Sequence, residues 1–230
     1  MYLDRRDAGA ELGRKLHRYI DRDVVVLGLP RGGVPVAFEV ARALAAELDI
    51  FVVRKLGVPG QRELAMGAIA SGGVRVLNHQ VVSWLRIPEP VIEEVAREEQ
   101  AELERRERLY RGGRSPLEIR DRIVVLVDDG LATGSTMRAA VQAVRLDHPS
   151  RIIVAVPVAP KSTCTELESL ADEVVCAHTP EAFSAVGQWY REFSPTVDDE
   201  VRELLYFTSL ARTAAAAALP PTPPDPGPVP

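Results

Sequence analysis

Val124-Val125-Leu126-Val127-Asp128-Asp129-Gly130-Leu131-Ala132-Thr133-Gly134-Ser135-Thr136 is the stretch on which the fold turns. Its four leading apolar residues read as the end of a strand buried on both faces, the pattern of a parallel sheet. Two adjacent carboxylates stand at the carboxyl end of that strand. A turn of small and hydroxyl residues follows, and Ser135 to Arg145 continues at helical spacing. Strand, turn and helix together make an anion cradle. Gly130 and Gly134 let the backbone approach closely. Amides of the loop and the helix start point at the anion, and Thr133, Ser135 and Thr136 supply hydroxyls. Asp128 and Asp129 sit where sugar hydroxyls or a magnesium ion would lie. A nucleotide P-loop fits worse, because no Lys precedes the final hydroxyl residues. Gly28-Leu29-Pro30-Arg31-Gly32-Gly33 likewise departs from the dinucleotide pattern G-x-G-x-x-G.

Around this centre, strand and helix signals alternate. Asp7 to Ile20 predicts a helix, Val24 to Leu29 a fully buried strand, Val34 to Leu48 a helix and Ile50 to Val53 a strand. Leu64 to Ala70 and Val74 to Leu77 flank Ser71-Gly72-Gly73, a hairpin signal. Strands at 123–127, 151–158 and 173–177 and a helix at 163–170 complete the series. The fold class is α/β, with a mostly parallel, doubly wound sheet covered on both faces. Glu89 to Arg111 stands apart, with thirteen charged residues in twenty-three and Glu-to-Arg pairs at i,i+4. Its narrow apolar stripe suits a solvated surface helix, or one that packs on a second subunit or caps the active site. Residues 213–230 hold five consecutive alanines and then seven prolines within eleven residues. They are expected to form a disordered or polyproline-like tail beyond a domain spanning 1–212.

Lys and Arg total 28 against 33 Asp and Glu, a net charge of −5, and Asp225 is the only charge in the last eighteen residues. That balance argues against a protein whose main task is to neutralise nucleic-acid phosphates. Cys164 and Cys176 are the only cysteines, which excludes a disulfide scaffold and suits a reducing cytoplasm. Asp4, Arg5, Arg6 and Asp7 precede any apolar run, so no signal peptide is expected, and no apolar stretch is long enough to span a bilayer. The four histidines lack metal-ligand spacing, and no G-x-S-x-G elbow is present.

The run from Val124 to Thr136 resembles the 5-phosphoribosyl 1-diphosphate (PRPP) binding signature of type I phosphoribosyltransferases. The resemblance implies that Asp128 and Asp129 hold the ribose 2′- and 3′-hydroxyls, reaching Mg²⁺ only through ribose or water. It also implies that Gly130, Leu131, Ala132, Thr133, Gly134, Ser135 and Thr136 cradle the 5′-phosphate. Val24 to Pro35 resembles the family's pyrophosphate loop, in which Pro30, Arg31, Gly32 and Gly33 surround the diphosphate and Arg31 is the side-chain donor. Val53 to Gly60 resembles the Arg-Lys-x-Gly segment of adenine-type members. Arg54 and Lys55 would face the pyrophosphate there, Val58 to Glu63 would begin a lid, and Glu63 would be an acid for proton transfer. Phe183 to Tyr190 resembles the base-binding region of purine-salvage members, with Trp189 or Tyr190 stacking on the base, Val186 supplying a backbone contact and Lys161 near a base carbonyl.

Taken together, the resemblance covers residues 1–210 and implies a small hood or lid region over the sheet. The implied function is transfer of ribose 5-phosphate from PRPP to a nucleobase-like acceptor with Mg²⁺, by a cytoplasmic homodimer without nucleic-acid or membrane partners. Asp128, Asp129, Arg31 and Lys55 would carry the chemistry. Two departures bear on the acceptor. Ala132 replaces the Asp of 6-oxopurine enzymes, and Ala70 replaces the Glu of the adenine members' hairpin. A PRPP-sensing regulator of the same fold is the alternative. The opening Asp4-Arg5-Arg6-Asp7-Ala8-Gly9 is shared with uncharacterised bacterial phosphoribosyltransferases.

Overall fold

The computed structural model describes residues 1–217, the side chains at 62, 63, 209 and 211–217 excepted. The chain runs α1 (Arg5–Lys15), β1 (Val24–Gly28), α2 (Gly33–Leu44), β2 (Glu47–Ile50), β3 (Val53–Val58), β4 (Gln61–Ala70), β5 (Val74–Leu77) and α3 (His79–Trp84). It continues through α4 (Glu89–Arg111), β6 (Ile123–Val127), α5 (Ser135–Arg145), β7 (Arg151–Val158), α6 (Lys161–Glu168), β8 (Glu173–His178) and α7 (Asp198–Ala217). Five strands form a wholly parallel sheet in the order β2-β1-β6-β7-β8.

The continuous apolar runs are explained by cover on both faces. Val25, Leu27, Val124, Leu126, Ile152 and Val154 pack beneath α5 and α6. Val24, Val26, Val125, Val127, Ile153 and Ala155 pack beneath α1, α2 and α7. Alternation along each strand assigns successive side chains to opposite layers. In register, Gly28 lies opposite Val127, so β1 and β6 end level and the loops that leave them adjoin. The reversal of strand order between β1 and β6 is where a doubly wound sheet opens its binding crevice.

A second, antiparallel sheet of β3, β4 and β5 carries the expected turn at Ser71–Gly73. Its Leu56, Met66 and Ile69 pack with Ile92, Ala96 and Leu103 of α4 in the main core. The long charged helix is therefore more than a solvated face. It covers the hairpin sheet of its own chain while its charged flank pairs outward, as in Arg75 with Glu89 and Glu93. Among the described residues, no helix is long and apolar enough to cross a membrane.

Four expectations need correction. α1 stops at Lys15 and hands over to a 3₁₀ turn at His17–Tyr19 instead of reaching Ile20. α2 ends at Leu44, where Ala45 adopts a left-handed φ of 51°, so the next strand is Glu47–Ile50 and not 50–53. The signal was masked by Asp49, a charged residue buried in a strand because Arg111 binds it at 3.0 Å and Leu117 donates its amide at 3.1 Å. Cys164 and Cys176 are joined as a disulfide between α6 and β8, where composition suggested none. The pairing is set by tertiary proximity that spacing in the sequence does not reveal. Finally, α7 runs through Ala217, past the boundary placed after residue 212, because an alanine run is a strong helix former. Residues 218–230 of the expected tail lie outside the described residues.

Candidate active site

β6 delivers Asp128 and Asp129 into a site where both carboxyls are desolvated. Asp128 Oδ1 accepts the Asp129 amide at 2.9 Å. Burial pushes Asp128 well above the ordinary carboxylate range, and the neighbouring Asp129 charge adds to the shift. Burial also raises Asp129, against the pull of the Arg5 guanidinium. Arg5 Nε donates to Asp129 Oδ2 at 2.9 Å, and Tyr190 Oη donates to the Asp129 carbonyl at 2.6 Å.

The following loop wraps toward α5. Leu131 bonds its amide to Val158 O at 2.9 Å, which ties the loop to the end of β7. Gly134 caps α5 in a left-handed φ of 68°, and a Cβ there would stand 2.6 Å from the Thr163 methyl group. Thr163 Oγ1 in turn donates to Ala132 O at 3.0 Å, so α6 braces the loop from behind. Ala132, Thr133, Ser135 and Thr136 remain exposed, while Gly130 and Leu131 are buried. Thr133 Oγ1 lies 3.0 Å from Ser135 Oγ. The arrangement leaves an exposed rim of hydroxyls at a helix N-terminus, the geometry suited to a phosphate monoester.

The loop after β1 is pressed directly on the acids. A Cβ on Gly33 would sit 2.7 Å from Val127 O and 2.9 Å from Asp128 Cα, and one on Gly32 would collide with the Asp129 carboxylate. Only glycine allows this approach. The Pro30–Arg31 peptide is cis. Arg31 is half-exposed, with Nη1 3.7 Å from Asp198 Oδ1 at the start of α7. Asp198 also accepts from Tyr110 Oη at 2.7 Å, and burial together with that contact pushes the Tyr110 hydroxyl up to about 12. An exposed ion pair of this length contributes little to stability, so Arg31 is available to an incoming anion.

Other residues singled out in the sequence are spread more widely. Arg54 turns toward α4 and pairs with Glu99 at 2.6 Å. Lys55, its neighbour on β3, lines a cavity of about 420 Å³ between the hairpin sheet and α5, together with Ser135 and Thr136. The side chain of Glu63 is outside the described ones. Lys161 is exposed at the first position of α6, two residues before the bracing Thr163. Val186 packs its methyl groups against Gly130. Trp189 is half-buried, and its Nε1 has no hydrogen-bond partner among the described residues. Tyr190 is 5% exposed, stacked on Phe193 at 5.0 Å, and offers no face for a base.

The phosphoribosyl transferase domain family matches residues 2–191 of this chain. The chain belongs to the phosphoribosyl transferase family. Two Mycobacterium tuberculosis proteins, provisionally named phosphoribosyl transferases, are each 50% identical over 201 residues, 87% of this chain and 45% of their own length. The chain thus spans about half the length of the curated relatives it matches. Among solved structures, the Thermus thermophilus protein TT1426 is 43% identical with a TM-score of 0.80, over 89% of this chain and 98% of that one.

The sequence reading missed the N-terminal side of the site. Tyr2 bonds its amide to Trp189 O at 2.8 Å, which seats the N-terminal segment against residues 189–192. Arg5 lies 4.0 Å over the Phe193 ring and donates Nη1 to Ser194 O at 2.8 Å. In the sequence this region showed only as the charged opening Asp4-Arg5-Arg6-Asp7, with no role assigned to Arg5. Among the described residues, no cluster of three or more His, Cys, Asp or Glu side chains is placed to hold a metal ion.

Proposed function

We propose that this protein transfers ribose 5-phosphate from PRPP to a nitrogenous acceptor, releasing pyrophosphate in a Mg²⁺-dependent reaction. One observation carries the reading. The glycine turn after β1 packs on the two carboxylates after β6, beside a hydroxyl-rimmed helix N-terminus. Three anchor points for a sugar carrying a phosphate and a diphosphate thereby meet at one end of the sheet. Magnesium fits this setting as an ion bound chiefly to substrate oxygens, since two adjacent carboxylates are the usual protein share of such a site. Asp128 and Asp129 would reach it through ribose or water. Bound there, the ion would neutralise the diphosphate as a leaving group.

In this reading Asp128 and Asp129 orient the ribose through its hydroxyls. The loop from Gly130 to Thr136 holds the 5′-phosphate. The C1–O bond breaks early, and negative charge grows on the diphosphate oxygens, where the Arg31 fork and backbone amides accept it. Lys55 lines, from the hairpin sheet, the cavity that Ser135 and Thr136 line from α5. The lid expected at 58–63 and the residues 186–194 keep water from the cation-like ribose. Incubation with Mg²⁺, PRPP and a panel of nucleobases, followed by pyrophosphate release, tests the proposal. Turnover with any acceptor supports an enzyme. PRPP binding without turnover across the panel returns the sensing reading.

A further inference from the structure

The two carboxylates at the end of β6 are not held alike. Asp128 accepts one backbone amide. Asp129 is enclosed by a ring of contacts from distant parts of the chain. Arg5 Nε grips its Oδ2 at 2.9 Å, Tyr190 Oη grips its main-chain oxygen at 2.6 Å, and the two gripping residues are joined through Phe193. Phe193 stacks on Tyr190 at 5.0 Å and carries the Arg5 guanidinium on its ring at 4.0 Å. Arg5 Nη1 is fixed in addition to Ser194 O at 2.8 Å. The side chains of Arg5 and Asp129 are 12% and 16% exposed, so the pair is largely shielded from water. Such shielding strengthens a charged hydrogen bond and makes the loss of one partner costly.

From this we propose that Arg5 is a positioning residue of the ribose site, fixing the Asp129 carboxylate so that one oxygen is aimed at a sugar hydroxyl. Oδ2 is committed to Arg5 and backs on Gly32, where an added Cβ would collide with it. Oδ1 is left to accept from a ligand. Three features favour this over a guanidinium that merely covers an empty acid. Arg5 has a second anchor at Ser194. It has a ring beneath its flat face, a contact that Arg makes better than Lys. It also rides on the first turn of α1, which Asp4 caps by accepting the Asp7 amide at 2.9 Å. The residue is built into place, and it joins residues 193–194 to the acid loop.

The proposal rests on Asp129 being a ribose ligand, and the test separates the two claims. Ribose 5-phosphate and 2,3-dideoxyribose 5-phosphate share the phosphate and differ only in the hydroxyls that the acids would receive. Calorimetric titration of the wild-type chain with each should show the ribose compound tighter by about tenfold or more, the scale of a hydrogen bond to a charged group. In Arg5→Ala the gap should narrow to within about threefold, with affinity for the dideoxy compound within about twofold of wild type. Arg5→Lys should fall between the two. A gap that survives Arg5→Ala intact overturns the role of Arg5 and leaves the ribose clamp standing. Tighter binding of ribose 5-phosphate by Arg5→Ala also overturns it, because Arg5 would then be obstructing the acid. No gap in the wild type removes the clamp and the role of Arg5 together. If Arg5→Ala does not fold, Arg5→Lys decides, since a wild-type gap there refutes the proposal and a reduced one supports it.

Discussion

Replacing Gly33 with alanine sets two physical effects against each other. Gly33 opens α2, donates its amide to Leu29 O at 3.0 Å and does not use left-handed backbone. At such a position alanine ordinarily stabilises a protein by about 0.4–1 kcal/mol, through the unfolded chain. Here the new Cβ meets Val127 O at 2.7 Å, Asp128 Cα at 2.9 Å and Asp128 Oδ1 at 3.0 Å, where ordinary contact begins at 3.4 Å. Two of those atoms are backbone and cannot swing aside. Overpacking a tight contact costs about 1–3 kcal/mol, and in a chain of this size each kcal/mol moves Tm by about 2–4 °C. Net of the alanine gain, the cost of up to about 2.6 kcal/mol should lower Tm by up to roughly 10 °C, read by circular dichroism. The effect on ligand should be larger in kind, because the loop is pushed off the acids. PRPP with Mg²⁺ at ~100 times Kd should stabilise the wild type by about 2.7 kcal/mol, and the variant should lose most of that shift. An unchanged or raised Tm with a full PRPP shift would refute the packing of these two loops as the basis of the site.

Three further outcomes are expected. Arg31→Ala should reduce kcat on the order of a hundredfold, as for loss of one preorganised donor, while leaving nucleoside monophosphate affinity close to wild type; equal loss for both ligands would assign Arg31 to the 5′-phosphate. Asp128→Asn should stabilise the ligand-free, Mg²⁺-free protein. A carboxyl raised in the fold costs stability increasingly as pH rises above its ordinary value near 4, so the Tm advantage of the variant should grow from that pH upward. A flat difference would show that Asp128 is not desolvated. Burial raises Asp172, but the Ile152 amide at 2.7 Å and Arg145 at 2.9 Å outweigh it and hold its carboxyl below the ordinary range. That stabilisation is present above pH 4 and lost as pH falls through the lowered value, so Asp172→Asn and wild type should converge in Tm under acid. A gap that widens on acidification would contradict the assignment.

The sheet was readable because its strands are buried on both faces and so appear as unbroken apolar runs; Ile123–Val127 and Arg151–Val158 are bounded as expected. The strand–turn–helix around Gly130 to Thr136 was readable for a related reason, since a tight turn into a helix demands small residues, as at Gly134. β2 was misplaced because Asp49 breaks its apolar pattern, and its main partner, Arg111, lies 62 residues away. Arg5 was illegible for the same cause. A guanidinium near a chain end reads as solvated until the fold brings Asp129, 124 residues on, to meet it. Tyr190 was noticed for its ring, yet the structure uses its hydroxyl, and burial holds that hydroxyl protonated. Local pattern reports backbone chemistry well, whereas side-chain roles depend on partners far along the chain.

Asp49 has one more consequence. The chain leaves the parallel sheet after Ile50 and re-enters it at Ile123, and on the way back the Leu117 amide bonds to Asp49 Oδ2 at 3.1 Å. Arg111 fastens the same carboxylate at 3.0 Å and reaches Ile50 O at 3.0 Å. Residues 51–116 are thus a detour that begins and ends at one clasp, so their length imposes nothing on strand order. Closing such a detour becomes harder only slowly as it grows, by about 0.6 kcal/mol for each doubling. The hairpin sheet and its covering helix are thereby fastened to the parallel sheet at one carboxylate, while β1 and β6 keep their register through their own pairing.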